Sequence, residues 1–310
     1  MKVESFHISL LALAILFSGA APAGADSIYV MDFYGAIEQF DSNNGDSSVF
    51  ASAPGESFGM AFDTSGNLYV SSYWYNAILK LKYSPWGVVT TFATTGINHP
   101  FDIAFDHSGN LYVANSGNVV QIAPGEYQDT SGTGSIVKYN SHGVGTTIAT
   151  GLGYPFGMAV DSRGNIYLAN AGGSSYAIFK FSPNGTESLF AGPLNYGPQG
   201  LAFDSSDNLY VADASGGRIM KYSPTGVGTV FVSGLSQPIN IAFDSSDNLY
   251  VADSDADMII KYNQNGVGSV FATFSDDFSI PLGIAVQPAN RWNFNFTWPV
   301  DNQPSSPNHH

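Results

Sequence analysis

The sequence predicts an all-β chain folded as a six-bladed β-propeller, and three observations carry that prediction. The phrase Phe-Asp-x-x-x-Asn-Leu-Tyr-Val recurs with small variations, its tyrosines being Tyr29, Tyr69, Tyr112, Tyr167, Tyr210 and Tyr250. Five apolar-Ala-apolar-Asp segments end at Asp63, Asp106, Asp161, Asp204 and Asp244, spaced 43, 55, 43 and 40 residues apart. A period near 40 made of short strands and turns is what a four-stranded propeller blade requires. Finally, the chain begins in the middle of a repeat and finishes with the opening strand of another, so its two ends complete one blade.

The repeat around Tyr210 shows the elements. Gly200 to Phe203 is strand a, and the turn Asp204-Ser205-Ser206-Asp207-Asn208 leads to strand b, Leu209 to Ala212. Arg218 to Tyr222 is strand c, Ser223-Pro224-Thr225-Gly226 is the next turn, and Thr229 to Val232 is strand d. Gly66, Gly109 and Gly164 stand where Asp207 and Asp247 stand in other repeats, so this turn position calls for a positive φ. The centre of strand a is Ala in all six repeats: Ala61, Ala104, Ala159, Ala202, Ala242 and Ala285. Only a small side chain fits where blades converge, which puts strand a innermost. The last blade then joins a C-terminal strand, Leu282 to Val286, to three N-terminal ones that begin with Ser27 to Met31.

Pro155-Phe156-Gly157-Met158-Ala159-Val160-Asp161 followed by Gly164 to Asn170 resembles the NHL repeat, as do Pro238 to Asp244 and Asn248 to Ser254. The likeness covers residues 27–287. It implies the propeller fold and leaves function open, because NHL relatives include enzymes and interaction modules. A more distant similarity extends to the gluconolactonase/regucalcin propellers, in which it implies a central divalent metal with a Glu ligand before strand a. Glu56 is near that place, but the surrounding Glu-x-Pro-x-Trp pattern is replaced by Glu56-Ser57-Phe58-Gly59-Met60. Similarity to the streptogramin lyase propellers implies a metal-assisted His, for which His99 is the sole candidate near the centre.

Composition narrows the function. The 310 residues hold no Cys, which excludes disulfides, thiolate metal sites and cysteine nucleophiles. With 25 acidic against 10 basic residues the net charge is −15, which disfavours nucleic acid as a partner. Lys82, Lys138, Lys180, Lys221 and Lys261 are assigned to one position on strand c and read as solvated blade surface spread round the ring. Residues 1–25 read as an export signal: Lys2, the apolar run Leu10 to Phe17, then Ala23-Gly24-Ala25. An uncleaved anchor is the rival reading. Cleavage would leave a secreted, periplasmic or otherwise extracytoplasmic monomer with no membrane span. The propeller is assigned to residues 26–288, and residues 289–310 to a tail with the aromatic stripe Trp292, Phe294, Phe296 and Trp298 before a disordered end.

Strand direction places the b–c and d–a connections on one face, called upper below, and that is where the repeats differ. A long loop between Ala114 and Ile136 carries Glu126, Tyr127 and Asp129. Aromatic residues gather at Tyr73, Trp74 and Tyr75, at Phe33 and Tyr34, and at Tyr176. They suit a glycan or a peptide, or else they pack over blade edges. The strand-b ends Asp32, Asn115, Asn170, Asp213 and Asp253, with Asp102 and Asn240 at the start of strand a, could ring the axis with oxygen ligands for Ca²⁺. Alternatively they accept hydrogen bonds from loop N–H groups, and no cofactor is bound. The expected function is therefore a binding module for a protein or glycan, with no catalytic residue assigned. The competing expectation is a metal-dependent lactonase or lyase.

Overall fold

The computed structural model describes residues 26–54, 57–82, 88–123, 126–129, 132–172, 175–194, 197–274 and 280–288. The expected leader and tail lie outside these residues, as does Glu56. Six four-stranded antiparallel sheets follow one another round a ring. Blade I comprises Ser57–Phe62, Leu68–Ser72, Ala77–Lys82 and Val88–Ala93. Blade II is Pro100–Phe105, Leu111–Asn115, Gly134–Tyr139 and Gly145–Leu152; blade III is Tyr154–Val160, Ile166–Gly172, Ser175–Phe181 and Glu187–Leu194. Blade IV is Pro198–Phe203, Leu209–Asp213, Arg218–Tyr222 and Gly228–Ser233. Blade V is Pro238–Phe243, Leu249–Asp253, Met258–Tyr262 and Gly268–Thr273. Blade VI pairs the C-terminal Pro281–Gln287 with Ser27–Asp32, Ala36–Asp41 and Ser47–Ser52, so the two ends close the ring as the repeat phase required.

Burial grades outward within each blade. Strand b is buried along its length in blades I, II, IV and V, whereas strand d turns its first three residues to solvent in blades IV, V and VI. The repeated tyrosine fills the gap between neighbours. Tyr210 meets Phe231 of its own outer strand edge-on at 5.0 Å and Phe243 of the next blade at 4.8 Å. Tyr167 sits in the same way between Phe190 and Phe203, and Tyr69 between Phe92 and Phe105. Edge-to-face pairs of this kind add about 0.5–1.5 kcal/mol each beyond area burial.

The Asp-x-x-x-Asn part of the repeat is a turn held by its own side chain. Asp204 Oδ1 accepts the N–H groups of Ser206 and Asn208, and Oδ2 accepts the Asn208 amide. Gly66, Gly109 and Gly164 take φ near +80°, and Asp207 and Asp247 take +59° and +57° at the same position. These two aspartates offset the strain of that conformation by reaching the neighbouring blade. Asp207 accepts the N–H and hydroxyl of Ser162, Asp247 does the same for Ser205, and Asp26 accepts the Ser245 N–H.

Two expectations are corrected. In blade I the lysine paired with the repeat tyrosine is Lys80, not Lys82, because Tyr69 is in register with Lys80. The lysines are also not free surface. Lys80, Lys138, Lys180, Lys221 and Lys261 each lie over a tyrosine ring 4.8–5.1 Å away and within 3.3–3.8 Å of the turn aspartate. Blade VI replaces both charges together: Gln287 receives the Tyr29 hydroxyl, and Gln39 stands opposite Tyr29. Within the long loop of blade II, Val119–Ala123 and Glu126–Asp129 pair as a separate two-stranded hairpin.

Candidate functional site

The inner strands set the geometry of the axis. One position past the mouth they present Gly59, Asp102, Gly157, Gly200, Asn240 and Gly283 in ring order. The glycines are sterically required. A Cβ on Gly157 would lie 1.9 Å from the Gln199 carbonyl oxygen, one on Gly200 2.7 Å from the Asn240 Cα, and one on Gly283 2.9 Å from the Phe58 oxygen. A Cβ on Gly59 would meet the Asp102 side chain at 2.6 Å. Two of the six positions carry a side chain, and each is flanked in the ring by two of the glycines. Asp102 belongs to blade II and Asn240 to blade V, which are opposite in a ring of six. Both residues line the same upper cavity and the channel beneath it.

Asp102 bridges two blades. Its Oδ2 accepts the Met158 N–H of blade III at 2.7 Å, and its Oδ1 accepts the Ile103 N–H at 2.8 Å. Burial between the inner strands pushes its pKa up to about 7, against the opposing effect of those two N–H donors. Its residual exposure is to the channel that it lines. Asn240 Oδ1 accepts the Ile241 N–H. On the second strand of blade I, Ser71 Oγ accepts the Gly59 N–H and donates to the Phe101 carbonyl, tying blades I and II together.

Above this ring lies a cavity of about 160 Å³ lined by Phe58, Phe101, Gln199, Ile239 and Leu282, the residues just before the axial ring, with Gln237 and Ser254 at its edge. Phe58 stacks on Phe101 (centroids 4.5 Å, planes 5° apart), and Phe101 meets Phe156 edge-on at 5.3 Å. The stack continues outward. Phe58 touches Tyr73 at 5.7 Å, and Tyr73 touches Trp74 at 5.0 Å. His99 fits against both Tyr73 and Trp74, at 4.9 and 5.7 Å. Its Nδ1 donates to the Gly117 carbonyl at 3.0 Å, so the ring is held as a loop residue.

The structure sorts the sequence-derived residues. Tyr73 is buried and links rim to axis, whereas Trp74 is 39% and Tyr75 66% exposed. Phe33, Tyr34 and Tyr176 are exposed on blades VI and III, with Phe33 and Tyr34 in mutual edge contact. Glu126 and Tyr127 lie on the second strand of the hairpin, and their side chains fall outside the described residues. Of the proposed cation ligands, only Asp102 and Asn240 line the axial channel. The others cap loops: Asp32 accepts the Ala36 N–H, Asp213 the Gly216 N–H and the Arg218 Nε, and Asp253 the Ser236 and Gln237 N–H groups. Asn115 accepts the Asn98 N–H and donates to Gly96 and Ser135. Asn170 Oδ1 is buried without a hydrogen-bond partner among the described residues.

A hard divalent cation takes six to eight oxygens, with carboxylates prominent. The axial ring offers one carboxylate and one amide beside four glycines, far short of that number. Among the described residues this donor set does not fit such an ion. The sequence pattern points to Asp102, Asn240 and the Trp74 loop but not to the mouth residues. Their signal was a Phe before the Gly or Asp of strand a in three successive repeats, Phe58, Phe101 and Phe156.

Comparison with known proteins agrees with this architecture. The family model for the SMP-30/Gluconolactonase/LRE-like region matches residues 24–255. A chain in the crystal structure of a nidogen/laminin complex superposes with a TM-score of 0.70 at 22% sequence identity, covering 84% of this chain and 98% of that one. No curated protein matches the chain by sequence.

Proposed function

The chain belongs to the SMP-30/gluconolactonase/LRE-like family, and from that premise we propose that it is an extracytoplasmic binding module whose upper face takes a protein or glycan ligand. One observation carries this reading. The continuous aromatic track Trp74–Tyr73–Phe58–Phe101–Phe156 runs from an exposed rim to the axial cavity. Flat rings with one exposed end suit the faces of sugars or the side chains of an extended peptide, and the fixed blades spare the site the cost of ordering itself. The export signal read in residues 1–25 supports the location.

The test is to probe a glycan array and a displayed random-peptide library with the wild-type chain and with Trp74→Ala. Selected binders should lose at least tenfold in affinity for the variant, and unchanged affinity would move the site elsewhere. The family favours a second reading, hydrolysis of a lactone at the same mouth, with Asp102 as the titratable group within reach. Turnover of gluconolactone above background, abolished by Asp102→Asn, would put that reading first.

A further inference from the structure

We propose that the axial mouth is a receptor for a primary alkylammonium group, of the kind carried by a lysine side chain or a small free amine. This deepens the binding-module reading and rests on it.

Three observations converge. First, the cavity wall is apolar and aromatic where Phe58, Phe101, Ile239 and Leu282 contribute, and among the described residues lining it Asp102 is the only ionisable one. Among the described residues no Lys, Arg or His lines either that cavity or the channel below, so none of them supplies the carboxylate with a counter-charge there. Each Asp102 oxygen accepts one backbone N–H, which leaves a lone-pair direction on each for a further donor. Asn240, lining the same cavity, spends its carbonyl oxygen on Ile241 and adds no charge.

Second, among the described residues the upper-face connections are acidic. The b–c connection of blade V carries Asp255 and Asp257, His99 is the one imidazole of the d–a segments, and the described residues of these connections include no Lys or Arg. The basic residues of the blades lie towards the opposite face, where the lysines meet the turn aspartates. Arg218, near the upper end of strand c, is held by Asp213 at 2.7 Å. A negative rim around a low-dielectric opening focuses the field and draws a cation inward.

Third, the chemistry of the wall favours an ammonium over an uncharged tip. Ring faces attract cations, more strongly once water is displaced, and the stacked Phe58–Phe101 pair with Phe156 beside it stands at the opening. The methylene stem of the ligand would lie against the aliphatic half of the wall. Burial already opposes the charge on Asp102, holding it at about pH 7, and an arriving ammonium stabilises the ionised form.

The experiment is calorimetric titration of the full chain at pH 8 with Nα-acetyl-lysine methylamide, n-butylammonium and the uncharged Nα-acetyl-norleucine methylamide. Both amines should bind at least tenfold more tightly than the norleucine compound. Asp102→Asn, which keeps the acceptor for the Met158 N–H, should erase that difference. Phe101→Leu should weaken the amines several-fold while leaving the norleucine compound unchanged, and cooperative melting of each variant establishes that it folds. Tighter binding of the lysine compound than of butylammonium assigns the site to a protein lysine, and the reverse order assigns it to a free amine. Equal affinity for lysine and norleucine compounds, or an unaltered amine affinity in Asp102→Asn, overturns the inference. The two readings fail separately: Trp74-dependent binding of a displayed ligand with no amine preference would leave the module reading standing and remove only this one.

Discussion

Asp102 has an environment unlike that of the other repeated aspartates. In the turns, burial works to raise the pKa of Asp204, but Asn208 and the backbone N–H groups of the turn outweigh it and hold the carboxyl below its ordinary range. At the axis burial wins, and Asp102 sits near 7. For a carboxyl whose folded pKa lies above its unfolded value near 3.9, the folded state holds the proton more tightly between those limits. Stability from this group is therefore greatest below about pH 4 and falls as pH rises towards 7. The melting temperature should rise by several degrees on acidification from pH 8 to pH 5, and Asp102→Asn should flatten that slope, as differential scanning calorimetry can read. A second contrast concerns the lysine–tyrosine–aspartate units. Lys221→Met should cost less than ~1 kcal/mol, since a partly exposed ion pair contributes little. Asp204→Ala should cost about 2–3 kcal/mol in urea unfolding, because it strands the N–H groups of Ser206 and Asn208.

Among the elements, the inner strands carry the tightest constraint. A methyl group at Gly157 has backbone of blade IV 1.9 Å away, so Gly157→Ala must push two strands apart. Overpacking of a rigid core costs about 1–3 kcal/mol, occasionally more, and backbone that cannot rotate aside places this site at the upper end. Equilibrium unfolding compared with Gly109→Ala separates the two causes. At Gly109 a Cβ meets nothing within 4 Å, and the cost there comes only from a φ of +80°. The repeat phrase made the turns legible, because the Asp oxygens, the Asn amide and the positive φ all belong to one five-residue segment. The mouth was not legible in the same way. Phe58, Phe101 and Phe156 are 43 and 55 residues apart, and each alone looks like an ordinary strand residue.

At the scale of the molecule, closure is the governing feature. Pro281–Gln287 pairs with Ser27–Asp32 along almost its full length, and its inner face abuts blades I and V. A chain truncated after residue 274 loses that strand, leaves the edge of Ser27–Asp32 unpaired and uncovers the inner strands of blades I and V. Unpaired edges of this kind recruit other chains. The truncated protein should elute as aggregate in size-exclusion chromatography or lose its cooperative thermal transition. A monomeric species with the wild-type melting temperature would show that the ring does not depend on its clasp.

The number of blades, the composite last sheet, the turn geometry and the small residue at the centre of every inner strand were determined by the sequence by itself, because each recurs locally at a period that only stacked, converging sheets can satisfy. The tertiary structure alone decided which polar side chains share a space. Asp32, Asp213 and Asp253 read like axial ligands, yet their oxygens are spent on loop N–H groups. Asp102 and Asn240, separated by 138 positions, come to opposite sides of one channel. The physical reason is convergence: side chains so far apart in the chain share a space only when six inner strands are brought round one axis.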